Sequence, residues 1–487
     1  MAAERQVRVA VIGAGFSGVG AAIALRQAGY DDVVVLEKEA VLGGTWRDNT
    51  YPGCACDVPS ALYSFSYAQK PDWSRFYATQ PEIERYLRDV AANAGVLPSI
   101  RCGVRVEGAS WDDGAGRWRL ETSDGRWDAQ ILISATGPWH EPLIPRLPGL
   151  DSFAGPAFHS SRWDHELDLA GRRVAVIGTG ASAVQFVPQI ARAAQQLHVF
   201  QRTPHWVLPK PDRPLGRAEQ ALLRRFPPLQ RALRGVLYYG FESVGIGMRH
   251  PRAMRQLQRI GELHLRRTIR DPELRRALTP AFTLGCKRIL MSNDWYPTLD
   301  RDDVELVPAA VTEVRERSVL AADGRERAVD AIVFGTGFQI LDQPVARLVR
   351  GRDGRSLADV WQGSPRGYKG TTVAGFPNAF VLLGPNLGNG HSSATVLIEQ
   401  QMAYVVDALR TMDARGLARV EVRPDAQARF NADVDRALRG SVWNAGGCAS
   451  YYLDENGRNS FMYPWSTVRY RRQTRRFDLD AYATVVA

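Results

Sequence analysis

Along the first forty residues the pattern of apolar positions changes period twice. Val7 to Ile12 is a nearly continuous apolar run, the pattern of a strand buried on both faces of a parallel sheet. A helix follows, with Gly20, Ala21, Ala22 and Ala24 giving it a face of small residues. Gly29 ends it, and Val33 to Leu36 reads as a second strand closing on Glu37. The same succession recurs from Arg173, with an apolar strand, a turn, a helical stretch and a second strand at Leu197 to Phe200. Between the two units, residues 80 to 98 form an amphipathic helical pattern. Val104–Val106, Trp118–Glu121 and Ile131–Ser134 read as a small antiparallel sheet with turns at Asp112-Asp113-Gly114 and Asp124-Gly125. Two apolar runs, 131–134 and 330–334, each enter a glycine turn, at Thr136-Gly137 and Gly335-Thr336-Gly337. Asn378 to Asn386 reads as a strand into a loop, followed by a helix from about Ser393 to Met412.

The turns inside the two repeated units name their chemistry. Gly13, Gly15 and Gly18 form G-x-G-x-x-G between strand and helix. Gly13 allows the tight turn, Gly15 lets backbone approach a pyrophosphate, and Gly18 lets helix and strand pack closely. The diphosphate then lies on the positive end of the helix. In the second unit Gly178 and Gly180 are followed by Ser182 and Ala183, with alanine in the third glycine position. The position that holds Glu37 in the first unit holds Arg202 in the second. A carboxylate accepts hydrogen bonds from an adenosine ribose and repels a 2′-phosphate; an arginine binds that phosphate. The first unit therefore suits FAD and the second NADPH. The fold class expected is α/β, with two Rossmann-like dinucleotide-binding domains. The boundaries expected are 1–145 for the first part of the FAD domain, 146–328 for the NADP domain, and 329–487 for the returning part of the FAD domain. Within the second, 209–280 is rich in Arg, Leu and Ala and reads as a helical insertion with breaks at Pro227-Pro228, Pro251 and Pro272. Its expected role is packing, shaping a channel, or facing a membrane.

Charge and cysteines narrow the setting. Lys and Arg number 62 against 52 Asp and Glu, a surplus of +10 that reads first as arginine-rich codon usage and second as attraction of an anionic cofactor. No basic run interleaved with aromatics suggests nucleic-acid binding. The first strand begins at Val7, which leaves no room for a leader before it, and Val236 to Met248 is too short an apolar stretch to span a bilayer. Cys54, Cys56, Cys102, Cys286 and Cys448 form no metal pattern, and no metal is expected. Their odd number fits a reducing cytoplasm, so a cytoplasmic protein is expected. Cys54-x-Cys56 lacks the spacing and surroundings of a redox disulfide, which argues against a flavin disulfide reductase.

Two longer patterns carry a resemblance. Gly43 to Asp57 has the form G-G-x-W-x-x-x-x-Y-P-G-x-x-x-D, and Phe153 to Asp164 the form F-x-G-x-x-x-H-x-x-x-W-D. With the two nucleotide turns, they make the chain similar to class B flavoprotein monooxygenases of the Baeyer–Villiger type, over residues 7 to about 475. Tyr451 to Asn459 resembles the acetophenone-oxidising branch. The resemblance implies FAD and NADPH as cofactors, with a small-molecule ketone and O2 as substrates. Reduced flavin would form a C4a-peroxide that attacks the ketone and rearranges to an ester or lactone. It implies Arg288 as catalytic arginine, held by Asp57 through bidentate pairing. Lys287, Arg202 and Thr203 would lie on NADPH; Gly44, Thr45, Trp46, Tyr63 and Val106 would line FAD. Phe153, Gly155, His159 and Trp163 would couple the domains. Three other readings stand beside it: an N- or S-oxygenating monooxygenase on the same scaffold, a flavin reductase, and a non-catalytic nucleotide-binding module.

Overall fold

A computed structural model describes residues 5–486. Met1 to Glu4, where no leader is expected, lie outside the described residues. Two sheets organise the chain. The first strand, Arg5–Ile12, pairs in parallel with Val33–Glu37 on one side and with Gly125–Ser134 on the other. Its interior residues Val9, Ala10 and Val11 are fully buried, as a run apolar on both faces requires. Helix Phe16–Gln27 crosses between the first two strands. Gly20 is what lets it lie against Phe65 and Ile398, whose side chains come within 3.1 and 3.2 Å of where a Cβ would stand.

The expected small antiparallel sheet is not separate. Val106–Asp112, Arg117–Thr122 and Gly125–Ser134 do form an antiparallel meander. The last of these strands runs for ten residues, and its second half pairs in parallel with Arg5–Ile12. The meander thereby becomes one wing of an eight-stranded sheet. The amphipathic helix is shorter than expected, Gln80–Asn93, because Gly95 at φ +66° turns the chain out of it.

The second sheet has five strands in the order Val304–Val307, Gln196–Phe200, Arg173–Ile177, Ala331–Phe334, Ala157–His159. Ala331–Phe334 lies between Arg173–Ile177 and Ala157–His159. The expected return to the first domain at residue 329 therefore comes too early. The chain completes the second sheet first, then rejoins the eight-stranded sheet through Val349–Arg350 and Ala379–Val381. A four-residue apolar run ending in glycine suits a central parallel strand of either sheet, so its pattern does not choose between them.

The two crossings lie side by side. Leu143 N–H donates to the Gly337 carbonyl at 2.8 Å, and Pro142 bridges Phe338. The F-x-G-x-x-x-H-x-x-x-W-D stretch forms the edge of the second sheet. Phe153 packs under it. His159 pairs in register with Phe334, its Nδ1 bonded to Ser161. Trp163 packs on Phe158 and Phe186 with ring centroids 5.3 and 5.5 Å apart. Arg162 reaches Asp48 of the first unit at 3.8 Å.

Segment 209–280 forms three long or medium helices, Arg217–Arg225, Pro227–Met248 and Pro251–Thr268, and a short one at Pro272–Ala277. The prolines expected as breaks are helix starts, standing at the first turn where no N–H partner is lost. Among the described residues no helix is long and apolar enough to cross a membrane.

Gly155 has its place fixed by contact: a Cβ there would stand 2.4 Å from the Asp330 carbonyl oxygen. Gly155→Ala should lower stability by about 1–3 kcal/mol through overpacking. A calorimetric or fluorescence melt checks this, and an unchanged melting temperature would contradict the contact.

Candidate active site

Both glycine turns open onto one cavity of about 1100 Å³. A pocket for one drug-sized ligand is roughly 300–1,000 Å³, so this space exceeds one ligand. Its first end is built by the first unit. Gly13 takes φ +100°, and a Cβ there would touch the Ala135 carbonyl at 3.0 Å. Gly44 takes φ +56°, and a Cβ there would lie 2.9 Å from the Gly15 Cα. The two backbones face each other bare, a cradle that any side chain would fill. Glu37 is buried at the end of its strand. It accepts the Ala14 N–H at 2.8 Å and the Glu39 N–H at 3.1 Å, and Arg47 stands at 3.2 Å. Val106 lines the cavity beyond it.

Toward the middle, Thr45 and Trp46 line the wall, and the Trp46 indole donates to Tyr63 Oη at 2.9 Å. Helix Ala394–Arg415 starts at the same place. Ser393 caps it, and Ala394, Leu397 and Ile398 line the cavity. Its remaining free N–H groups put the positive end of a helix at the cavity wall.

The second end is built by the second unit. Gly178 takes φ +107°, and a Cβ there would be 2.4 Å from the Gly335 carbonyl, the counterpart of Gly13 against Ala135. Gly180, Ser182, Thr203 and Arg202 follow along the wall. Arg202 is exposed, and among the described residues no carboxylate pairs with it. Lys287 lies close by; burial, then the Arg202 charge, lower its pKa. Two cations held near each other without a carboxylate suit a phosphate. The bare glycine cradles, the acid at one end and the unpaired cations at the other fit FAD and NADPH in the expected order.

Between the two ends stands Arg288. Its Nε donates to Asp57 Oδ2 at 2.9 Å and its Nη2 to the same oxygen at 2.5 Å. The expected fork onto both carboxylate oxygens is not formed: both bonds converge on one, and Nη1 and Asp57 Oδ1 stay free of each other. The Asp57 charge is the main cause that pushes the Arg288 pKa above its ordinary value, against the opposing effect of burial, so the guanidinium stays charged. Tyr451 and Tyr452 close the wall over it, with ring centroids 4.5 Å apart, and Tyr452 stacks on Phe461 at 5.6 Å. Burial raises both phenols, so they remain neutral donors.

Not every expected residue reaches the cavity. Gly18 and Ala183 lie behind the turns, where they allow close packing: a Cβ on Gly18 would overlap the Gly13 carbonyl at 1.8 Å. Phe153, Gly155, His159 and Trp163 also stand off the lining. Burial lowers the His159 pKa to about 4, which makes it a neutral packing and hydrogen-bonding group.

Sequence reasoning missed Gln185. From the second unit's helix it accepts from Tyr51 Oη at 3.1 Å and from Ala55 N–H at 3.3 Å, and donates to the Ala55 carbonyl at 3.0 Å. Its one signal is an amide, one of two with Gln189, inside the otherwise apolar stretch Ala183–Ile190. Lys210 was missed as well; its Nζ donates to the Cys56 carbonyl at 3.3 Å. The cysteine expectation also needs correction. Cys54 and Cys56 are buried free thiols, pushed up by burial, to about 12 for Cys54. Cys286 and Cys448 are joined in a disulfide across 162 residues of chain, which contact in the fold alone makes possible. It ties the loop carrying Arg288 to the loop carrying Tyr451.

Fold and site together define a flavoprotein oxidoreductase with two dinucleotide sites. Residues 10–215 match the family described as Pyridine nucleotide-disulphide oxidoreductase. A Baeyer-Villiger monooxygenase of Streptomyces coelicolor is 47% identical over 482 residues, covering 98% of this chain and 93% of its own. One of Pseudomonas aeruginosa is 47% identical over 484 residues, covering 99% and 92%. Among solved structures, OTEMO in complex with FAD and NADP superposes with TM-score 0.89 at 28% identity, over 98% of this chain and 99% of that one. Oxidised steroid monooxygenase bound to NADP gives 0.86 at 31%, over 99% and 100%. The chain belongs to the Baeyer–Villiger monooxygenase family. It is an FAD- and NADPH-dependent flavin monooxygenase.

Cys448→Ser should cost about 2–5 kcal/mol of stability, because the bridge closes a long loop. The check is denaturant unfolding without reductant, where equal midpoints for variant and parent would contradict it.

Proposed function

We propose that the protein inserts one oxygen atom next to a ketone carbonyl to give an ester or lactone. The observation that carries this reading is Arg288, charged and held by Asp57 on the wall between the two cofactor ends. When bound, NADPH supplies a hydride to FAD, and reduced FAD supplies activated oxygen. Everything else is the work of this chain's residues. Arg288 Nη1, left free by the convergent pairing, donates toward negative charge developing on substrate oxygen. A fixed donor of this kind contributes roughly 3–4 kcal/mol in a water-poor site. Asp57 is a positioning residue, since it sets the guanidinium rotamer. Tyr451, Tyr452 and Phe461 exclude water and shape the space for the ketone.

In the same reading FAD lies along Gly13, Gly15, Glu37, Gly44, Thr45, Trp46, Tyr63 and Val106. NADPH lies along Gly178, Gly180 and Ser182, with Arg202, Thr203 and Lys287 at its 2′-phosphate. Gly18 and Ala183 serve both by packing. Phe153, Gly155, His159 and Trp163 couple the two units, and the working boundary of the second unit falls after Phe334 rather than at 328. The reading keeps the protein in the cytoplasm, where NADPH is regenerated. Thiol titration of protein purified without reductant should count three free thiols if the bridge survives there; five would mean it is reduced.

The decisive assay gives holoenzyme, NADPH and air a panel of cyclic, aryl and long-chain ketones with one sulfide. Ester or lactone one oxygen heavier is the expected product. Sulfoxide alone, with every ketone returned, would overturn the reading in favour of heteroatom oxygenation. Arg288→Ala should keep flavin reduction but lower ester formation by about 10²–10³-fold, and a normal ester yield would remove Arg288 from the chemistry. Arg202→Ala should raise the KM for NADPH and leave that for NADH nearly unchanged; equal changes would refute the phosphate contact.

A further inference from the structure

We propose that the helical segment 209–280 is a docking surface for an anionic lipid bilayer, on which the protein lies without crossing it. Charge is the first observation. This segment carries sixteen Arg and Lys against six Asp and Glu. That surplus of ten equals the surplus of the whole chain, 62 against 52, so the remaining residues are balanced. The positive field of the protein comes from one structural unit.

The second observation is an apolar stripe with no covering partner. On helix Pro227–Met248, Leu229, Val236, Tyr239 and Ile246 are exposed by 43, 70, 66 and 54%. Their spacing of seven, three and seven puts them on one side. The charged residues of this helix lie elsewhere. Arg234 turns inward to the carbonyls of Ala61, Leu62 and Ser64. Glu242 is buried and accepts from Thr467. Arg231 lies on the side of the helix away from the stripe. The stripe is therefore uncharged over a length of about 26 Å, at 1.5 Å per residue. Water gains nothing from it, and in a monomeric soluble protein such patches are sites of interaction.

The third observation is the neighbouring helix, Pro251–Thr268. Arg252, Arg255, Arg259 and Arg266 share its exposed side, and among the described residues none has a carboxylate partner. An apolar helical face beside a row of free arginines is the arrangement that lies in a bilayer interface. The apolar side chains enter the headgroup boundary while the arginines meet lipid phosphates. Other occupants fit less well. A second copy would bring the same surplus of ten positive charges against the first. A nucleic acid would satisfy the arginines and leave Val236 and Tyr239 in water.

The inner side of the same helix reaches the cavity wall. Gly245 packs against the His391 ring, where a Cβ would stand at 2.5 Å. His391 follows Asn389, which lines the cavity. The bilayer surface would lie one helix away from the site.

The test reads binding, not turnover. Holoenzyme is sedimented with vesicles of phosphatidylcholine and phosphatidylglycerol, and with vesicles of phosphatidylcholine alone. Retention on the anionic vesicles only, released by salt, is expected. Val236→Glu with Tyr239→Glu, and separately Arg252→Glu with Arg255→Glu and Arg259→Glu, should each weaken retention at least about tenfold, with the FAD spectrum unchanged. The arginine set, being fully on the surface, keeps the test decisive if the first pair lowers the melting temperature. No retention, equal retention on neutral vesicles, or indifference to both sets would overturn the proposal. So would a concentration-dependent dimer abolished by the Val236 and Tyr239 pair, which would give the surface to a second copy.

Discussion

The arrangement of this protein turns on one ion pair formed between its two halves. Asp57 comes from a loop of the first nucleotide unit, Arg288 from a loop next to the second. A guanidinium drawn partly out of water, as Arg288 is, needs a carboxylate and hydrogen bonds to replace the water it loses. Here one carboxylate oxygen takes two N–H groups, and the attraction exceeds the effect of burial, since the pKa of Arg288 rises rather than falls. The pair takes up two of the three guanidinium nitrogens, and Arg288 lines the cavity that both glycine turns open onto.

Holding that pair in place requires the two loops to be fixed, and several contacts do so. Gln185 clasps Tyr51 and Ala55, just before Asp57 in the chain. Lys210 holds the Cys56 carbonyl. Cys286, two residues before Arg288, is bridged to Cys448, three residues before Tyr451. Each contact links different parts of the chain, so the site is a product of how the units meet. The edge strand with Gly155, His159 and Trp163 belongs to the same system: it lies off the cavity and binds the second sheet to the crossing segments.

Much of this arrangement is legible in the sequence. The two glycine turns, with an acid in one unit where the other has a base, mark two nucleotide units, because the requirements are local: a turn of positive φ, a helix end, one side chain at the tip of a strand. Gly43 to Asp57 is legible as a loop of close backbone approach for the same reason, and it lines the cavity. The pattern misleads where it serves two structures equally. The meander strands read as a sheet of their own because alternation says nothing about what the far end of a long strand pairs with. The run at 331–334 reads as a strand of the first domain, although an apolar strand is the same in either sheet.

By itself, then, the sequence determined the repeated unit, the glycine cradles, the acid in one unit opposite the base in the other, and the helical character of 209–280. All of these follow from interactions within a few residues or from the period of the apolar positions. Tertiary structure alone decided which sheet took Ala331–Phe334, that Arg288 converges on one oxygen of Asp57, that Gln185 joins the units, and that Cys286 meets Cys448. It also decided that Leu229, Val236, Tyr239 and Ile246 face outward, uncovered. Contacts between residues distant in the chain depend on packing of whole elements, and no local pattern encodes them.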